Sequence, residues 1–137
     1  MVGIIILGHA KMSFGLLEAA KEIMAIKPGV VAIPYRSQGN ISEFEARIKH
    51  EIANIDEGEG VLVLTDIYGA TPTNVVLKFI NEMHIEVVTG VNLPMVLEAI
   101  THRETLGLPH LAMKVEQRSK ACIVNAGEYF RCHHVAK

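Results

Sequence analysis

Val2-Gly3-Ile4-Ile5-Ile6-Leu7-Gly8-His9 decides how the rest of the chain is read. The run is apolar without alternation, rich in Ile, and stops abruptly at Gly8. A short, continuous apolar segment of this kind reads as a strand buried on both faces, as in a parallel sheet. His9 then stands just past the strand's carboxyl end. In open α/β sheets that is the edge where ligands and chemistry collect.

Working outward, the same grammar repeats. Ala10 to Ala25 carries Leu16, Leu17, Ala20, Ile23 and Met24 at helical spacing, with Ser13 as candidate N-cap and Lys27-Pro28-Gly29 as the stop. Val30 to Ile33 is a second strand, closed by Pro34. Asn40 followed by Glu43 fits a capping box, and the helix after it places Ile41, Phe44, Ile48, Ile52 and Ile55 on one face. Val61 to Thr65 is a third strand, ended by Asp66. Thr71 reads as an N-cap and Pro72 as the first residue of a helix bearing Val75, Val76, Phe79, Ile80 and Met83. Ile85 to Val88 is a fourth strand, and Gly90 to Pro94 opens a helix with Val96, Leu97 and Ile100. A weaker helix covers Leu108 to Lys120, and Ala121 to Val124 is the candidate for a last strand. Strand–helix alternation of this kind predicts an α/β fold: a doubly wound three-layer sandwich around a mostly parallel sheet of order 2-1-3-4, with residues 1–137 forming one domain.

That order makes the first and third strands neighbours at the topological switch point. His9 and Asp66 end those two strands and are expected side by side. A carboxylate on one imidazole nitrogen fixes the tautomer and leaves the other nitrogen free to attack. The helix start at Thr71-Pro72 offers backbone N–H groups and the positive end of a dipole, which suits a phosphate. Gly69, Ala70, Thr71 and Thr73 are the candidate phosphate-binding residues, with the Thr71 hydroxyl as a further donor. A nucleophile, an orienting acid and an anion site together point to phosphoryl transfer through a covalent phosphohistidine on His9, with neutral imidazole as the attacking form. Acid that protonates the ring should slow it. No Walker-type loop is present, so no nucleotide is expected as cofactor.

Composition removes other classes. The net charge of −2 offers no basic footprint for nucleic acid. No apolar run approaches the length of a membrane span, and the first charge is Lys11, without the basic start of a signal peptide. Cys122 and Cys132 form no disulfide framework, so a cytoplasmic location is expected. Cys132, His133 and His134 cluster near the end, but no matching ligand set accompanies them, and no metal site is expected. Glu57 and Glu59 with Asp56 read as a solvated loop.

Three stretches resemble the IIA component of mannose-type sugar phosphotransferase systems (PTS): Ile4-Ile5-Ile6-Leu7-Gly8-His9; Leu62 through Asn74, containing Thr65-Asp66-Ile67-Tyr68-Gly69-Ala70-Thr71-Pro72-Thr73; and Thr89-Gly90-Val91-Asn92-Leu93-Pro94-Met95. The resemblance runs from Met1 to about Val124. It implies that His9 accepts a phosphoryl group from the carrier protein HPr and passes it to a IIB component, that Asp66 is its hydrogen-bond partner, and that the Thr71 hydroxyl lies beside the phosphate. It also implies a homodimer with a C-terminal strand exchanged between subunits, for which Ala121 to Val124 is the candidate. Family members often carry Ser or Thr before the histidine and Gly after it, where this chain has Gly8 and Ala10. They often carry Gly-Gly-Ser-Pro where this chain has Gly69-Ala70-Thr71-Pro72. A regulatory module that senses phosphorylation without feeding a transporter is the alternative on the same scaffold. A ligand-binding module with a structural His9 is a third reading.

Overall fold

The computed structural model describes residues 1–134. Its strands are β1 (Gly3–His9), β2 (Val30–Tyr35), β3 (Val61–Thr65) and β4 (Ile85–Val88), ordered β2-β1-β3-β4 and parallel throughout. The expected sheet order is therefore observed. β1 lies at the centre because both of its edges are paired: Ile5 registers with Val31 on one side and Val63 on the other.

Side chains alternate between two cores, as the period of a strand requires. Ile4, Ile6, Leu62 and Leu64 face α1 (Met12–Ile23), α4 (Leu93–His102) and α5 (Leu108–Ala121). Ile5, Leu7, Ile33, Val61 and Val63 face α2 (Ile41–Ile55) and α3 (Thr71–Leu77). The helices thus cover both faces, giving the three-layer sandwich. Among the described residues, no helix is long and apolar enough to cross a membrane.

Helix ends sharpen the sequence reading. Asn40 caps α2, its Oδ1 accepting from the N–H of Ser42 at 2.8 Å and of Glu43 at 3.1 Å. Asn92 caps α4 in the same way, accepting from Met95 at 2.9 Å. Ser13 is not an N-cap: α1 starts at Met12, and Ser13 lies in its first turn, fully buried. Ala10 takes a left-handed conformation (φ 53°) to turn the chain out of β1, and the helix then starts at Met12 with Lys11 in the N-cap position. Ala70, not Thr71, occupies the N-cap position of α3, so Thr71 is its first residue and Pro72 its second. That helix ends at Leu77, but the chain continues in tight turns, with Phe79 N–H bonded to Val76 O, and Phe79 still closes the core.

The expected strand at Ala121 to Val124 is not formed. Helix α5 runs through Ala121, and the Cys122 N–H returns to Ser119 O to end it. Asn125 then opens a further helix, α6 (Ala126–His134), its side chain accepting from the Glu128 N–H at 3.1 Å. The β-branched pair Ile123-Val124 has strand propensity, but a link this short between two helix ends pairs with no strand, and propensity yields to context.

The amino end of the sheet carries a clamp. Arg103 is 3% exposed, and its guanidinium donates to Val2 O at 2.8 Å, Lys27 O at 3.1 Å and Pro28 O at 2.9 Å. One side chain thereby ties the chain entering β1 to the chain entering β2. Gly60, at the mouth of β3, has φ 82°, and a Cβ there would press on His84 O at 2.8 Å, so glycine is required.

Candidate functional site

The opposite, carboxyl end of the sheet is where strand order has a consequence. β1 and β3 are adjacent, β1 ends in His9, and Asp66 follows β3 directly. Asp66 Oδ2 accepts from the His9 backbone N–H at 2.8 Å and faces the His9 ring Nδ1 at 2.6 Å. Asp66 Oδ1 accepts from the Ile67 N–H at 2.8 Å. The carboxylate is only 9% exposed, whereas the His9 side chain is 45% exposed.

These contacts set the protonation pattern. Burial works to raise the Asp66 pKa. The hydrogen bonds from the His9 ring, the His9 N–H and the Ile67 N–H, with attraction to His9, outweigh it and hold the carboxyl below its ordinary value. An ionised carboxylate only accepts, so the proton of a neutral His9 ring resides on Nδ1 and the lone pair on Nε2. The ring is further fixed by Tyr35. Tyr35 is the register partner of His9 across β1–β2, and its ring meets the imidazole edge-on with centroids 5.3 Å apart. Phe44 of α2 backs Tyr35 in turn, at 5.0 Å. Tyr35 is the last residue of β2 and so stands at the same rim as His9.

The loop from Asp66 to Ala70 leads from the carboxylate to α3. Its start is held by the Gly90 N–H, which donates to Asp66 O at 3.2 Å. Gly69 takes φ 87° with open space where a Cβ would be, and Asn74 Nδ2 braces its carbonyl at 3.1 Å. Ala70 and Thr71 begin the helix, and Thr71 is exposed. N–H groups of a first helical turn lack intrahelical partners, and Pro72 has none to offer. Thr73 is turned inward: its hydroxyl is fully buried, 2.8 Å from Thr65 Oγ1 and 2.8 Å from Ile67 O. Its side chain is therefore turned away from the exposed helix start.

Two contributors to this site carry little sequence signal. Thr65 closes an otherwise apolar strand, and that lone hydroxyl at a buried strand end was the available clue. Gly90 acts through its N–H, which no side chain announces.

The fold is a doubly wound α/β sandwich, and at the switch point of its 2-1-3-4 parallel sheet a half-exposed histidine ring is ordered by a mostly buried carboxylate. The comparisons give that class its family. A family model described as "PTS system fructose IIA component" matches residues 3–116. The "PTS system fructose-specific EIIA component" of Bacillus subtilis is 31% identical over 121 residues, covering 88% of this chain and 83% of that protein. The "PTS system mannose-specific EIIAB component" of Escherichia coli K12 is 28% identical over 104 residues, covering 75% of this chain but only 32% of that longer protein. A crystal structure of phosphotransferase system component EIIA from Streptococcus agalactiae superposes with a TM-score of 0.84 at 28% identity, covering 93% of this chain and 99% of that one. The chain belongs to the fructose/mannose-type IIA family of the PTS, whose members are phosphotransfer proteins.

Proposed function

We propose that the chain acts as a single mannose-type IIA domain spanning residues 1–137 and carries a phosphoryl group on His9 Nε2 between two protein partners. HPr is the donor and a IIB component of a sugar phosphotransferase system the acceptor, in the cytoplasm. The observation that carries this reading is the 2.6 Å contact of His9 Nδ1 with Asp66 Oδ2, which leaves Nε2 as the unencumbered nucleophile on a half-exposed ring.

The step is an in-line displacement. The Nε2 lone pair forms a bond to phosphorus as the P–N bond to the donor's histidine breaks and its electron pair returns to that imidazole. Positive charge that develops on the His9 ring is met by the Asp66 carboxylate through the Nδ1–H. The N–H groups of Gly69, Thr71 and Thr73, with the Thr71 hydroxyl, hold the moving phosphoryl oxygens, while the Ala70 N–H closes the turn onto Ile67 O. Transfer to IIB is the same displacement with the roles reversed. A protein rather than a small molecule as donor accords with the rim: Ile67 and Tyr68 stand exposed on the loop that starts at Asp66, Tyr68 at 78%.

We also place the chain in a homodimer. β4 is an edge strand, and a groove of about 560 Å³ runs along it, lined by Val87, Thr89, Ala112 and Met113 among others. An open strand edge beside apolar side chains is a surface that a second copy would cover. Light scattering at micromolar concentration should return twice the chain mass, and a monomer would remove this part of the reading.

The test of the carrier role is transfer of radiolabel from phosphoenolpyruvate through enzyme I and HPr. Wild type should gain acid-labile, alkali-stable label, and His9→Ala none. Undiminished label on His9→Ala would sink the reading.

A further inference from the structure

The Asp66–Ala70 loop has to hold two things at once: the carboxylate that orders His9 and the turn that leads to the helix start. Its backbone has one interior anchor. The Ile67 carbonyl receives the Thr73 hydroxyl at 2.8 Å and the Ala70 N–H at 3.3 Å. The second bond is long and closes only a local turn. The first reaches from α3, with Thr73 fully buried, and is joined by a second hydroxyl, Thr65 Oγ1, also fully buried and 2.8 Å away.

Proton counting orders this network. Each hydroxyl has one hydrogen to give. The arrangement that satisfies all three oxygens has Thr65 O–H donating to Thr73 Oγ1, and Thr73 O–H donating to Ile67 O. Asp66 sits between the two anchored points, because Thr65 precedes it in β3 and Ile67 follows it. Its own carbonyl is held by Gly90. We infer that the Thr73 hydroxyl, seated by Thr65, is a positioning residue: it fixes the backbone on both sides of Asp66 and so holds the carboxylate square on His9 Nδ1. This rests on the carrier reading for its effect on transfer, but not for its effect on the ring.

Thr73→Val removes the hydroxyl and keeps the shape. Thr73→Ala carries the same loss in a smaller side chain, should valine not be accommodated. Thr73→Ser keeps the hydroxyl. Thr65→Val removes only the seat of the Thr73 hydroxyl. The first readout is the His9 ring by 15N NMR in the unphosphorylated protein. Wild type and Thr73→Ser should show the Nδ1–H tautomer as the dominant neutral form. Thr73→Val or Thr73→Ala should lower that fraction severalfold, speed amide exchange at Ile67 and Tyr68 at least 10-fold, and move Asp66 titration toward its ordinary value. Thr65→Val should fall between. The second readout is label transfer from phospho-HPr: Thr73→Val should lose about 10-fold in kcat at little change in KM for the donor, with Thr73→Ser restoring it. A wild-type tautomer ratio and wild-type kcat in Thr73→Val, even with lowered stability, would reduce Thr73 to a packing residue and overturn the inference. If wild type itself takes no label, the carrier reading fails, while the tautomer and exchange arms still decide the role of Thr73.

Discussion

Asp66→Asn is the most informative single change, because three donors converge on that carboxylate. Oδ2 takes both the His9 N–H and the ring Nδ1–H, and Oδ1 takes the Ile67 N–H. An amide cannot replace it in either orientation. With its oxygen toward His9, its NH₂ faces the Ile67 N–H. With its NH₂ toward His9, that group confronts the His9 backbone N–H and forces the ring proton onto Nε2, where the attacking lone pair should be. One backbone donor loses its partner either way, at about 1 kcal/mol for a donor within reach of solvent. Stability at neutral pH should fall by about that amount in urea unfolding. Label transfer should slow by about 10- to 100-fold, or about 1.4–2.7 kcal/mol of barrier. The acid side supplies a second check. Asp66 has its carboxyl held below the ordinary value, so its contribution is fully present above the unfolded-state value of about 3.9 and is lost as pH falls through the folded one. The stability gap between wild type and Asp66→Asn should therefore narrow as pH falls below about 3.9. A transfer rate equal to wild type, or a gap that stays undiminished down to the lowest pH at which both proteins fold, would refute the account of the site.

The other predictions concern the backbone around the site and the clamp at the far end of the sheet. Ala10→Gly should raise stability by about 0.5–1 kcal/mol, and the melting temperature by about 2–4 °C, because alanine at φ 53° carries left-handed strain that glycine does not; no gain in calorimetry would mean that the turn is unstrained. Arg103→Met keeps much of the side-chain volume but leaves three backbone carbonyls without their donor, and should cost about 2–4 kcal/mol, a fall of about 10 °C, with label transfer retained at temperatures where the protein is folded. Gly60→Ala should destabilise by more than 1 kcal/mol, roughly, since strain at positive φ adds to the collision with His84 O; a neutral melting curve would contradict the crowding at that turn.

What could be read from sequence follows from where the information is stored. Fully buried parallel strands are written as unbroken apolar runs, so β1 and β3 were plain, and with them the sheet order and the meeting of His9 with Asp66. Side-chain caps such as Asn40 carry their own signature. Hydrogen bonds to backbone carry none. Arg103 looks like any surface cation in the sequence, because its three partners are carbonyls of Val2, Lys27 and Pro28. The Thr65–Thr73 pair is likewise silent, and a threonine at a helix start reads as an anion donor until its hydroxyl is found facing inward. Ser13 and Thr71 lie one or two positions from the true N-caps, Lys11 and Ala70, because neither of those makes a side-chain cap that the sequence could announce. Ile123-Val124 failed differently. The local propensity of the pair is strand-like, but only a neighbouring edge makes a strand, and two helix ends occupy that part of the chain.

Gly8 and Ala10, which flank the histidine and depart from the residues the resemblance leads one to expect, differ in their physical consequences. A Cβ on Gly8 would meet the Met12 methyl and approach Asp66 Oδ2 to 3.1 Å, so the Met12 side chain occupies space that a serine or threonine at position 8 would claim. Gly8 and Met12 therefore read as one compensated pair rather than as a missing polar contact. Ala10 is not compensated in that way: its left-handed backbone is the cost of swinging the chain from β1 into α1, while its N–H is retained by Tyr35 O at 2.9 Å. Strain and half-exposed polar groups are thus concentrated at the carboxyl end of β1, where His9 must stay accessible. The amino end of the same strand is bolted by Arg103 and is buried from Val2 onward. Both edges of β1 are paired up to its carboxyl end, so the alignment of His9 on Asp66 rests on the ladders themselves, and the Arg103 clamp at the far end adds stability without reaching the site.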